Sequence, residues 1–249
     1  MQQLRKNKKI MDAIYYGIII ARWPYDTLLS YGAIRALRMQ YDRENPDTLP
    51  KLVDLCFNFN YHGIRITPYQ VKSEITELLG IIKDLKPCRI LEIGTAKGGT
   101  LFLFSKVLPD NAEIFSIDRG MPFETFFRRW RVRFFESFVK HKNNMHILQL
   151  NSHSKSTFER LKKMLSGKKF DFLFIDGDHT YIGAKKDFEM YSKLVKKGGI
   201  IAMHDVALHP PEKNCNVYKF FNELQKKHRT KKIIENTKQG WGGIGILKV

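Results

Sequence analysis

From residue 89 onward, short apolar runs alternate with longer stretches of helical pattern, and no other feature of the chain restricts its fold so strongly. The candidate strands are Arg89–Ile93, Glu113–Asp118, Met145–Leu150, Phe170–Asp176, Ile200–His204, Lys232–Glu235 and Ile244–Lys248. The candidate helices around them are Pro68–Lys83, Gly98–Leu108, Phe123–Lys140, Ser154–Leu165, Ala184–Lys196 and Asn216–Lys227. Strands separated by helices of about 10–15 residues form βαβ units, which predict an α/β fold with a seven-stranded, mostly parallel, doubly wound sheet and helices on both faces. Right-handed crossovers put the carboxyl ends of the parallel strands on one edge, where such sheets bind ligands.

Residues 1–65 read differently. Lys8–Arg22 and Thr27–Tyr41 have helical patterns with Pro24 between them, and Asn45–Pro50 is a run of turn formers expected to be a loop. The expected division is a helical amino-terminal cap, or a membrane or dimer contact, over 1–65, and a ligand-binding domain over 66–249. The apolar run Ile14–Ala21 is well short of the roughly 18–20 residues that cross a bilayer. Arg22-Trp23-Pro24 offers no small-residue cleavage site after it. Cys56, Cys88 and Cys215 are too scattered for a disulfide framework or a zinc knuckle and fit a reducing compartment. The expected location is cytoplasmic, with peripheral membrane contact through the amino-terminal helices as the alternative.

Charge bears on the partner. The chain has 43 Lys+Arg against 25 Asp+Glu, a formal +18, which predicts attraction to something anionic without choosing among nucleic acid, headgroups and an acidic substrate. Hydrophobic residues make up 43%, enough for a core, so a disordered polybasic tail is excluded. Residues 119–169 hold 13 Lys+Arg and 3 Asp+Glu, a surplus of 10. Within them Phe123–Lys140 mixes Arg128, Arg129, Arg131 and Arg133 with aromatic residues. Arginines there could clamp a phosphate, a uronic acid or a nucleic-acid backbone. Alternatively the aromatic stripe packs on the sheet and the basic face is solvated.

The chemistry gathers at strand ends. The first strand runs into Glu92-Ile93-Gly94-Thr95-Ala96-Lys97-Gly98-Gly99, a glycine turn that lets backbone approach a ligand and exposes helix N-terminal amides. Its E-x-G-x-x-x-G-G spacing differs from the dinucleotide pattern G-x-G-x-x-G, which argues against an NAD-dependent dehydrogenase. An acid ahead of the first glycine suits a ligand with a cationic group. The second strand ends in Asp118, about twenty residues beyond the glycines, where a carboxylate can accept both hydroxyls of a ribose. Asp176 and Asp205 end neighbouring strands, so they converge and would repel each other unless a cation or a shared proton offsets their charge. Divalent cations prefer such oxygen ligands. His179, three residues beyond Asp176, titrates near working pH and could serve as a general base. The competing reading is that Asp178 and His179 cap the following helix. His62, His146, His209 and His228 have no evident partners in sequence and are read as ordinary.

ILEIGTAKGG, IFSID, FDFLFIDGDH and VKKGGIIAMHD, in that order, resemble the motifs of Rossmann-like class I S-adenosylmethionine (SAM)-dependent methyltransferases over residues 66–249. The resemblance implies that Glu92, Gly94 and Gly98, with Thr95 of the same turn, hold the methionine part of SAM, and Asp118 its ribose. It places Gln70 at the carboxypropyl end, Ser152 in the segment flanking the adenine, and Asp176 among the cofactor contacts. The strand-end carboxylates and the closing Gly240-Trp241-Gly242-Gly243-Ile244-Gly245 further resemble the metal-dependent macrolide sugar O-methyltransferases and the related cephalosporin-hydroxylase-like group. By that likeness Asp176 and Asp205 are ligands of Mg²⁺ or Mn²⁺ and His179 is the base. His204 stands where an acidic third ligand is expected; imidazole suits Mg²⁺ poorly, so the ion is Mn²⁺-like, or His204 only supports a ligand, or no metal binds.

The expected activity is SAM-dependent O-methylation of a glycosyl hydroxyl in a glycan, glycolipid or natural product, with the acceptor's anionic part on Arg128, Arg129 and Arg131, and His179 against the acceptor. A homo-oligomer is expected. An RNA or other nucleic-acid methyltransferase is the alternative that the charge favours. A non-catalytic module on the same fold, binding a membrane or an anionic polymer, is the alternative of another class.

Overall fold

A computed structural model describes residues 28–120, 128–141 and 144–249, without the side chains of Arg128 and Arg129. The expected helix Lys8–Arg22 and residues 123–127 of the expected helix Phe123–Lys140 lie outside the described residues.

The predicted α/β architecture is present. Seven strands, β1 (Arg89–Ile93), β2 (Glu113–Ile117), β3 (Met145–Leu148), β4 (Phe170–Ile175), β5 (Val195–His204), β6 (Thr230–Ile233) and β7 (Ile244–Lys248), form one sheet in the order β3-β2-β1-β4-β5-β7-β6. β3, β2, β1, β4 and β5 run parallel, while β7 is antiparallel to both β5 and β6. The order reverses between β1 and β4, which opens a crevice at their carboxyl ends.

The helices are α1 (28–44), α2 (Leu49–Asn58), α3 (Lys72–Leu85), α4 (Gly99–Val107), α5 (Arg128–Glu136), α6 (Lys155–Leu165), α7 (Tyr181–Tyr191) and α8 (Val217–Gln225). Neighbouring strand residues point to opposite faces, so each strand feeds two cores. Ile90, Ile114, Phe172 and Phe174 pack with residues of α1 to α5, including Leu37, Leu55, Leu78, Phe102 and Phe134. Leu91, Phe115, Leu173 and Ile175 pack on the other face with Leu161, Ala184, Tyr191 and Phe221. β4 is buried along its whole length, as a central parallel strand requires.

Three expectations on local structure are corrected. Asn45–Pro50 is not all loop: Leu49 begins α2, because Pro50 falls in the first turn, where its missing N–H costs no hydrogen bond. The helix expected at Ala184–Lys196 starts earlier, at Tyr181, because the Thr180 side chain accepts a hydrogen bond from Gly183 N at 3.0 Å. That cap belongs to Thr180, so His179 is not needed for it. β5 begins at Val195, five residues before the expected start, with a register shift against β4 between Phe170 and Phe172.

Candidate active site

The carboxyl ends of β1, β2, β4 and β5 surround a cavity of about 910 Å³. Gly94, Asp118, Asp176, His179, His204 and Asp205 line it together with Tyr69, Arg131 and Trp241. The topology therefore joins residues separated by more than a hundred positions.

The glycine turn forms one wall. Gly94 has φ +91°, and a Cβ there would stand 2.0 Å from the Asp176 carbonyl oxygen, so only glycine lets β1 and β4 meet at this point. Asp118 receives three backbone N–H groups: Thr95 and Ala96, each 2.7 Å from Oδ2, and Gly120, 2.6 Å from Oδ1. It thus shapes the turn, with one acceptor site on Oδ1 left over, and lines the cavity. Gly98 lies under the ring of Phe135. The guanidinium of Arg131 sits 5.4 Å from the centroid of that ring and donates to the Ala96 carbonyl, which places Arg131 over the glycine turn. The Thr95 and Ser116 hydroxyls are hydrogen-bonded behind it.

Glu92 and Gln70 lie behind the cavity wall. Glu92 is fully buried and accepts from Thr100 Oγ1, while its Oε2 has no hydrogen-bond partner. Burial, reinforced by Asp176 and Asp118, outweighs the Thr100 and Thr95 hydrogen bonds and pushes its carboxyl up to about 8. Gln70 donates Nε2 to Asp176 Oδ2 at 2.7 Å and leaves its buried Oε1 unpartnered. Ser152 receives the Tyr191 hydroxyl on its carbonyl at 2.7 Å.

The other wall is a chain of carboxylates and imidazoles. His204 Nδ1 lies 3.1 Å from Asp176 Oδ1 and 3.3 Å from Asp205 Oδ1, and its buried Nε2 has no partner. Burial alone would lower the His204 pKa, but the two carboxylates prevail and push it up to about 10. His179 Nδ1 is 2.6 Å from Asp205 Oδ2, and that hydrogen bond raises its pKa against the opposing effect of burial. Burial would raise the Asp205 carboxyl, yet His179 and His204 hold it well below the usual range. Asp205 has φ +63°, a left-handed conformation uncommon for a residue with a side chain and found preferentially at functional sites.

His209, read from sequence as ordinary, belongs to this chain. It is buried, with Nε2 3.1 Å from Asp205 Oδ1 and Nδ1 2.9 Å from the Ala207 carbonyl. The segment is folded back by the closing glycine loop: Gly242 N reaches His209 Nε2 at 3.3 Å, and Ala207 N donates to Gly242 O at 2.9 Å. The H-D-x-x-x-H spacing was the available signal, but it becomes meaningful only once that loop is in place.

Asp176, His204 and Asp205 each offer a ligand atom within 4.8 Å of the others. Two carboxylates and the imidazole Nδ1 that faces both suit a divalent ion that accepts mixed oxygen and nitrogen ligands, such as Mn²⁺, better than Mg²⁺.

Among the described residues, only part of the basic surplus of 119–169 is at the cavity. Arg131 is there, but Lys140 pairs with Asp110 at 2.5 Å beside the start of β2, and Lys162, Lys163, Lys168 and Lys169 lie at the end of α6 and the entry to β4. α5 and α6 each run from the ligand edge back to the opposite edge, and they carry their cations with them. The side chains of Arg128 and Arg129 lie outside the described set.

Fold and strand-end crevice together have the arrangement of the Rossmann-like fold that solved O-methyltransferases share. Residues 91–206 match the model of a family described as a methyltransferase domain, in keeping with the motif resemblance. A Dictyostelium discoideum protein named Probable caffeoyl-CoA O-methyltransferase 3 is 28% identical over 153 residues, 60% of this chain and 55% of that protein. An uncharacterised Acanthamoeba polyphaga mimivirus protein is 32% identical over 120 residues, 46% of this chain and 50% of that protein. The chain thus spans about half the length of these curated relatives. Among solved structures, an O-methyltransferase from Bacillus cereus in complex with SAH aligns with TM-score 0.52 and 16% identity, covering 85% of this chain and 96% of that one. An O-methyltransferase from Streptomyces achromogenes involved in tomaymycin synthesis, in complex with SAM, aligns with TM-score 0.54 and 16% identity, covering 86% and 97%.

Proposed function

We propose that the chain is a SAM-dependent O-methyltransferase acting on a glycosyl hydroxyl of an acceptor that carries an anionic group. The observation that carries this reading is the His179–Asp205 pair, 2.6 Å apart in the wall of a cavity whose opposite wall is the glycine turn. When bound, SAM would supply an electrophilic methyl carbon on a sulfonium, to which the acceptor oxygen would bond as the carbon–sulfur bond breaks and SAH leaves. The turn at Gly94 admits the cofactor, Asp118 takes its ribose, and Gln70 and Ser152 border its two ends. Glu92, uncharged or charged according to what reaches its free oxygen, backs the turn. His179 has Nδ1 engaged by Asp205, so Nε2 takes the acceptor hydroxyl proton, while Asp205 fixes the ring and stabilises the imidazolium. Asp176, His204 and Asp205 would hold a divalent ion, which would lower the acceptor hydroxyl's pKa and orient its oxygen.

Tyr69 and Trp241 present exposed aromatic rings beside the cavity, suited to the apolar face of a sugar ring. Arg65, Lys97 and Arg131 among the lining residues would meet the acceptor's negative group. Calorimetric titration of the purified protein with SAM tests the reading, with saturable micromolar binding expected; no binding at high micromolar concentration overturns it. Transfer of labelled methyl from SAM to acidic glycosides, against RNA, then separates the two acceptor classes.

A further inference from the structure

The edge of the sheet opposite the cavity carries a feature that the methyl-transfer chemistry leaves unused. The connections entering β4 and β6 are 166–169 (SGKK) and 226–229 (KKHR), and 192–199 (SKLVKKGG) leads into β5 and forms its first five residues. They hold eight Lys and Arg and no Asp or Glu, and all eight are exposed: Lys168, Lys169, Lys193, Lys196, Lys197, Lys226, Lys227 and Arg229. Among the described residues only Lys196 has a carboxylate partner, Asp171 at 2.5 Å. Exposed Lys248 at the end of the antiparallel β7 joins the same edge, between β5 and β6.

The sheet order makes these loops neighbours. β4, β5, β7 and β6 stand side by side, so the cations form a row about 14 Å long at a strand spacing of about 4.8 Å. The six residues of β4 separate this row from the Asp176 end by about 17–20 Å. So many unpaired like charges at one edge repel one another and contribute nothing to the core. An external anionic surface would offset that repulsion.

We infer that this edge docks on an anionic phospholipid surface, holding the cavity mouth away from the membrane and open to water. A lipid surface is favoured over nucleic acid by the shape and chemistry of the row. It consists of turns and the start of β5 rather than a groove, and its three segments contain no Trp, Tyr or Phe on which bases could stack. Seven of the eight cations are lysines, point charges that fit a fluid field of headgroups without fixed geometry. The inference is independent of what is methylated.

The test is sedimentation of the full chain with phosphatidylcholine vesicles, with and without phosphatidylserine. Binding is expected only to the anionic vesicles, and it should vanish at about 1 M salt, where charges are screened beyond about 3 Å. Lys168→Glu/Lys197→Glu/Lys227→Glu should weaken binding by well over a hundredfold, because losing three lysines costs roughly fivefold each and the three new carboxylates add repulsion. The neutral Lys168→Gln/Lys197→Gln/Lys227→Gln set should show a smaller loss in the same direction and serves if the reversed set fails to fold. Lys155→Glu/Lys186→Glu/Lys219→Glu, with the same net charge placed on other exposed positions, should retain most of the binding. Equal binding to neutral vesicles, equal loss in both reversed sets, or tighter binding to a single-stranded oligonucleotide than to anionic vesicles would each overturn the inference. SAM titration of the same variants reads the cofactor site separately, so failure of one reading leaves the other standing.

Discussion

In the proposed reaction, His179 and Asp205 divide the labour of one proton transfer. The carboxylate holds Nδ1 at 2.6 Å, and the ring lines the cavity with its other nitrogen not engaged by Asp205. His179→Gln keeps a hydrogen-bonding side chain but removes the base, so kcat should fall by about 10²–10⁴ while SAM affinity changes little. Single-turnover kinetics beside calorimetric SAM binding would show that split; a parallel loss of binding would mean that the ring supports the cofactor instead. Gly94 acts in the opposite way. Its Cβ would collide with the backbone of Asp176, and its φ of +91° disfavours any side chain. Gly94→Ala should cost several kcal/mol of stability, on the order of other strained backbone sites, and abolish SAM binding. Thermal melts with and without SAM would check both effects.

Among the elements, the closing glycine loop matters most for the acceptor side of the proposed reaction. Glu74, fully buried on α3, accepts from Glu235 N at 3.1 Å, Gln239 Nε2 at 2.8 Å and Gly243 N at 2.8 Å. The loop so anchored presents Trp241 to the cavity and holds the Asp205–His209 segment through Gly242 and Gly243. Glu74→Gln replaces an acceptor oxygen by a donor and should destabilise the fold by roughly 1–3 kcal/mol. It should raise the acceptor KM more than the SAM Kd, which steady-state kinetics would resolve. This loop also explains where the sequence was readable. The strands were legible because residues such as Ile90 and Leu91 serve both faces of a buried sheet, which leaves unbroken apolar runs. The glycine turn was legible because its spacing is local. α2 was missed because Pro50 marks a turn and a helix start equally well. His209 was missed because its partners, Asp205 and Gly242, come together only through a loop more than thirty residues downstream.

At the scale of the molecule, the two edges of the sheet have different work. At the ligand edge, carboxylates and imidazoles offset one another. At the far edge, Asp171 ties β4 to β1 by accepting from Cys88 N and Arg89 N, each at 2.7 Å, beside Lys196. Burial would raise its pKa, but Lys196 and the two amides prevail and hold it below the usual carboxylate range. A folded-state pKa below the unfolded value contributes stability above the unfolded pKa, and that contribution is lost as pH falls through the folded one. Asp171→Asn should therefore be less stable than the parent at neutral pH, by about 1–3 kcal/mol, and the difference should shrink as pH drops below about 4. Urea melts across that range would show the convergence. Chelation makes a further whole-protein prediction: if a divalent ion sits at Asp176, His204 and Asp205, EDTA should lower methyl transfer and Mn²⁺ should restore it better than Mg²⁺.

The reversal of strand order between β1 and β4 has a consequence for how the protein matures. The glycine turn, Asp176, Asp205 and the Trp241 loop are carried by separate stretches of chain that meet only when central parallel strands have paired across long sequence distances. Such pairings close late, because the chain must give up loop entropy before they return anything. A partly folded chain can bring its helices together yet hold no complete binding site. Cofactor binding should thus emerge in the last kinetic phase of refolding, after most of the helical signal has returned.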